Sequence, residues 1–123
     1  HNKAELTPFV EMFLNIVEIS LQQLLETLEE KKYKWEYYCQ RIGILPNAEK
    51  TDIAHLYELL IQAALFSNIG ISREDLLNEL KLSENTLRSR LRLIPEILLI
   101  ENRQKGRKYY LLDLDEADKL FDV

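Results

Sequence analysis

The chain has 123 residues, of which 46% are hydrophobic and 30% charged, and it contains a single cysteine. A domain of that length buries about two-thirds of the surface its unfolded chain exposes, so a core forms without disulfides or metals, and the composition excludes disordered and disulfide-stapled classes. Taken as one number, the net charge of −5 argues against nucleic acid as a partner.

With Cys39 alone there is no disulfide framework, which points to a reducing, cytoplasmic setting. Glu18, Gln22 and Gln23 interrupt the most apolar stretch before it reaches membrane-spanning length, and the start lacks the pattern of a secretory signal. A chain that begins at His1 rather than Met reads as a fragment of a longer protein. Phe9, Met12, Phe13, Ile16, Ile19, Leu24 and Leu28 recur at threes and fours, which predicts a helix opened by Thr7-Pro8. Val10, Leu14, Val17, Leu21 and Leu25 widen its apolar stripe past half the circumference. Such a helix needs neighbours on two sides, either an upstream segment or a second copy in a homodimer.

Tyr33, Trp35, Tyr37 and Tyr38 sit among charges near the end of this helix. Aromatics so placed close a core or a domain junction more often than they stack bases. Gly43 to Ala48, with Pro46 and Asn47, reads as a connection. The expected organisation is a helical segment over 1–42, a linker over 43–50 and a second domain over 51–123.

In that domain Ile53, Leu56, Tyr57, Leu60, Ile61, Ala64 and Leu65 keep the helical period up to Gly70, which suits a left-handed C-cap. Ser72 opens the next helix with Asp75 in capping-box spacing, and Leu76, Leu77 and Leu80 are apolar. Lys81-Leu82 makes a tight turn. Ser83 caps a third helix with Leu87, Leu91 and Ile94 inward, and Pro95 stops it. The apolar runs Ile97–Ile100 and Tyr109–Leu112 then flank the polar, glycine-containing loop Asn102–Arg107, the pattern of a β-hairpin. Asp113 to Phe121 predicts one last short acidic helix. The expected fold is mainly α: a long N-terminal helix, then a winged helix-turn-helix of three helices plus a β-hairpin wing.

A helix-turn-helix lays its second helix in the DNA major groove. With Leu87, Leu91 and Ile94 inward, Glu84, Asn85, Arg88, Ser89 and Arg92 face outward. Arginine reads guanine and asparagine reads adenine with paired hydrogen bonds, so Asn85, Arg88, Ser89 and Arg92 are the expected base-contacting set. Arg103, Lys105, Arg107 and Lys108 on the wing suit phosphate or minor-groove contacts. Residues 81–108 carry eight basic and three acidic side chains, whereas 51–80 and 109–123 each carry one basic and five acidic. The overall acidity therefore conceals a local charge of +5. Glu84 and the acidic whole favour the alternative, a winged helix used for protein docking or dimerisation.

No catalytic constellation is present in the sequence. His1 and His55 lack partners at metal-ligand spacing, Cys39 lacks an activating base, and the three glycines are scattered, so no catalytic residue, metal or cofactor is expected.

The opening Leu6-Thr7-Pro8-Phe9-Val10-Glu11-Met12-Phe13-Leu14 resembles the helix that follows the active-site loop in Fic (filamentation induced by cAMP) family proteins, where a T-P-F-x-E-F-x-L type segment closes an all-helical domain. Met12 stands where the pattern has an aromatic. The resemblance covers about the first 30 residues, and family members with a C-terminal winged helix share the element order read above. It implies that the first helix is the last of a larger domain, and that the parent protein transfers a nucleotidyl, usually AMP, group. The H-P-F-x-x-G-N-G-R motif that carries that transfer is not in this sequence, so no catalytic residue carries over. The combined expectation is a non-catalytic C-terminal region that binds duplex DNA for transcriptional autoregulation, or else positions or regulates an upstream transferase domain.

Overall fold

A computed structural model describes the backbone of residues 3–122 and the side chains of residues 10–122. In order, the chain forms α1 (Lys3–Cys39), a 3-10 turn (Ile42–Ile44), α2 (Ile53–Phe66), β1 (Ile71–Ser72), α3 (Arg73–Leu80), α4 (Glu84–Arg92), β2 (Leu99–Gln104), β3 (Arg107–Leu112) and α5 (Leu114–Phe121). It is mainly helical, with one small antiparallel sheet in the order β1-β3-β2. It divides into two compact units, residues 1–33 and residues 34–123.

The first unit is α1 as far as Tyr33. Its backbone is helical from Lys3, so Thr7-Pro8 lies inside the helix and does not open it. Ala4, Glu5 and Leu6 are strong helix formers and extend it upstream; the Thr7 side chain, the expected cap, lies outside the described residues. The expected apolar stripe is present and bare: ten large apolar side chains from Val10 to Leu28 are each 45–59% exposed. Glu11, Asn15, Glu18 and Gln22 recur at threes and fours and form a narrow polar strip. Tyr33, expected in a core or junction, is 73% exposed.

The second unit is built around α2. Ile53, Leu56, Tyr57, Leu60 and Ile61 are fully buried, as are Leu76 of α3, Leu87 of α4, Leu98 before β2 and Leu112 of β3. Complete burial of each aliphatic side chain stabilises the fold by about 1.5–3 kcal/mol before entropy is counted. Tyr38 at the end of α1 is buried in the same core, with Trp35 and Tyr37 packed against it, as the aromatic cluster implies. The stretch read as a linker also contributes to this core: Leu45 and Ala48 are buried, Tyr57 Oη donates to the Pro46 carbonyl at 2.6 Å, and Asn47 Nδ2 donates to the Leu93 carbonyl at 2.7 Å. Residues 43–50 thus brace α2 and the end of α4.

Two local expectations change. α2 ends at Phe66, and Gly70 (φ +113°) is not its cap. A Cβ at Gly70 would stand 2.5 Å from the Tyr110 carbonyl oxygen, so glycine is needed for the chain to run close beside β3. The two-residue strand that follows, unmarked in the sequence, pairs Ile71 with Tyr110 and Ser72 with Tyr109. The hairpin is also longer than its apolar runs. β2 and β3 pair from Leu99–Leu112 out to Gln104–Arg107, and the loop shrinks to Lys105-Gly106, both at positive φ (52° and 76°). Two successive residues at positive φ form a turn whose twist matches the strands, which lets charged residues continue the ladder into solvent.

Candidate nucleic-acid interface

The outward helix is positioned by local hydrogen bonds and an apolar inner face. Ser72 Oγ accepts from the Asp75 N–H at 3.1 Å and starts α3; Lys81, at φ 56°, ends it, its N–H donating to the Leu77 carbonyl. Ser83 Oγ then accepts from the Thr86 N–H at 3.3 Å and starts α4. Leu87 and Ile94 are buried and Leu91 half-buried, as expected, and Asn85, Arg88, Ser89 and Arg92 are exposed on the opposite face. Ser89 Oγ donates to the Asn85 carbonyl at 3.1 Å, so its proton is already used within the helix.

The hairpin is held to α2 and β1 by Asn102, whose Nδ2 donates to the carbonyl of Ile69 in the connection between them at 2.9 Å. Arg103 and Lys108 face each other across the ladder, a repulsive placement relieved by Glu101, 3.9 Å from Arg103 Nε and 3.6 Å from Lys108 Nζ. Lys105 and Arg107 are exposed at the tip.

Two open grooves separate these elements. The first, about 420 Å³, lies among the start of α3, α4 and the hairpin tip, and is lined by the cations Arg73, Arg88, Arg107 and Lys108 and the acids Glu74 and Glu84. The second, about 550 Å³, runs along α4 beside the sheet and is lined by Arg73, Arg88, Arg92 and Lys108, by the acids Glu96 and Glu101, and by Leu91 and Tyr110. Arg73, Arg88 and Lys108 border both, so three elements each deliver a cation to one place. Asn85, Ser89, Arg103 and Lys105 stand outside both grooves.

Arg73 is absent from the sequence-derived set. A local signal exists: it occupies the first position of α3, where a cation opposes the helix dipole, so it is not there for the helix. What it joins is set only by folding. Conversely, Arg90, one of the eight cations counted over 81–108, is withdrawn. Its Nε is buried, lacks a hydrogen bond and faces Asp52 at 3.9 Å.

Elsewhere, burial and the nearby Glu58 charge push the Cys39 thiol up, which favours its unreactive protonated form. Among the described residues no group of three or more His, Cys, Asp or Glu side chains is placed to hold a metal ion. No helix among them is long and apolar enough to cross a membrane. No family model, curated protein or solved structure matches this chain.

Proposed function

We propose that the second unit is a winged helix-turn-helix that binds duplex DNA, with α3 and α4 as the helix pair and β2–β3 as the wing. The observation that carries this reading is the convergence of Arg73, Arg88 and Lys108, from α3, α4 and β3, on two adjoining grooves beside the exposed outer face of α4. A duplex needs that combination: cations spaced over several elements to meet phosphates, and one helix face clear to reach base edges. Asn85, Arg88, Ser89 and Arg92 contact the major groove, and Arg103, Lys105, Arg107 and Lys108 anchor the backbone. Arg73 joins the anchoring set.

On the same reading the chain is the non-catalytic C-terminal region of a Fic-like protein, and its DNA contact serves transcriptional autoregulation. The Thr7-Pro8-Phe9 segment and the bare apolar surface of α1 support this, because the last helix of a larger helical domain is apolar on most sides. The test is titration of the chain against genomic duplex fragments at several salt concentrations, with Arg88→Glu plus Arg92→Glu as the control. Detectable binding at low salt that the double substitution abolishes is expected. Absence of binding, or indifference to the substitutions, overturns the reading.

The exposed apolar residues of α1 favour a second reading, a dimerisation or docking module that positions or regulates an upstream AMP-transferase domain. Contiguous apolar patches beyond a few hundred Å² mark contact surfaces. A concentration-dependent mass that Leu21→Lys with Leu28→Lys reduces to the monomer, together with no DNA binding, selects it.

A further inference from the structure

The outer surface of α4 carries one acid among its cations. Glu84 occupies the first position of the helix with its side chain 70% exposed, and its carboxylate lies 4.0 Å from Arg73 Nε. Both border the first groove with Arg88, Arg107 and Lys108. Arg88 follows Glu84 by four residues, so the two occupy neighbouring positions on one side of the helix.

An acid at this point weakens binding to any polyanion, since it subtracts from the charge that meets the phosphates. An ionised carboxylate only accepts, so it favours a base edge that offers a donor without an acceptor beside it. In the major groove cytosine presents its amino group; adenine's amino group stands beside the acceptor N7, guanine presents only the acceptors N7 and O6, and thymine the acceptor O4 with a methyl group. Arg73 beside it offsets the carboxylate's repulsion of the flanking backbone. Residues in the first turn of a helix laid in the groove are those that meet base edges.

Resting on the DNA-binding reading above, we propose that Glu84 is the specificity-determining residue of this surface: it accepts from a cytosine amino group and disfavours duplexes that lack that donor. Four residues separate it from Arg88, about 6 Å along the axis. With base pairs about 3.4 Å apart, the cytosine lies about one to two base pairs from the guanine that Arg88 reads.

The experiment is selection from a randomised duplex library with the unaltered chain, Glu84→Gln and Glu84→Ala, each first checked for an unchanged thermal unfolding transition. The unaltered chain is expected to select a motif with cytosine at one fixed position, preferred about tenfold or more over other bases. Glu84→Ala loses that preference and binds random duplex several-fold more tightly. Glu84→Gln moves it to adenine, whose edge the amide matches. A motif left unchanged by Glu84→Ala, or a loss of affinity that is equal for all sequences, overturns the assignment to Glu84 while leaving DNA binding intact. Failure of the unaltered chain to bind any duplex overturns both.

Discussion

Salt dependence tests the charge arrangement most directly. Of the cations assigned to DNA, Arg103 and Lys108 already face Glu101, and Arg73 faces Glu84. Of the backbone-anchoring set, Lys105 and Arg107 have no acidic partner among the described residues. If these two each neutralise one phosphate, the logarithm of the binding constant falls against the logarithm of salt concentration with a slope of about −1.8. Between 50 and 200 mM salt, affinity then drops about 12-fold. Replacing Lys105 and Arg107 by alanine removes both contacts, so the slope falls close to zero. Fluorescence anisotropy with a labelled duplex, at four or five salt concentrations, measures both slopes. A slope near zero for the unaltered chain, or the same slope for the double variant, refutes the assignment of these side chains to phosphate.

Gly70→Ala puts a methyl group 2.5 Å from the Tyr110 carbonyl oxygen at a φ of +113°; a destabilisation of about 2–3 kcal/mol is expected in urea unfolding, with loss of the β1–β3 pairing. Lys105→Gly relieves a side chain held at φ 52° and stabilises the hairpin by about 0.5–1 kcal/mol, yet it removes one phosphate contact and lowers the salt slope by about 0.9. The two effects of that substitution are opposite in sign, so thermal melting and DNA titration separate them. Burial, with a smaller contribution from Glu49, pushes Tyr57 up to about 12. Burial and then Asp118 push Tyr38 up as well. Between pH 10 and 12 the unfolded tyrosines lose protons that the folded ones keep, so stability is full below pH 10 and falls above it by about 1.4 kcal/mol per pH unit for each tyrosine. Urea titrations at pH 8, 10 and 11 measure the decline, and Tyr57→Phe should make it shallower.

Features that depend on a few adjacent residues were legible in the amino-acid order. Ser72 and Ser83 start their helices because a hydroxyl reaches an N–H three residues on, whatever the rest of the chain does. Leu87 faces inward because the helical period leaves it no other side; Ile94 is buried too, although α4 ends at Arg92 before reaching it. The four outward residues of α4 follow from the same period, and they are exposed where that period puts them. The charge reversal over 81–108 is likewise a matter of counting.

Tertiary structure decided what depends on partners distant along the chain. Nothing near Ile71 marks it as a strand; two residues become one because Tyr109 and Tyr110 offer a free ladder edge, and Gly70 is small enough to approach it. The hairpin outruns its apolar residues because its outer part is stabilised by backbone pairing and a two-residue turn rather than by burial. Leu45 and Ala48 enter the core of the second unit although their neighbours read as a linker, since α2 is apolar on more than one side and accepts them. Arg90 and Arg73 show the same division for the candidate site. One arginine counted as part of the positive surface turns toward Asp52, and another, outside the counted segment, joins Arg88 and Lys108. Local order determines that a side chain is charged and which face of its helix it occupies. Which charges stand together depends on how the helices and sheet pack.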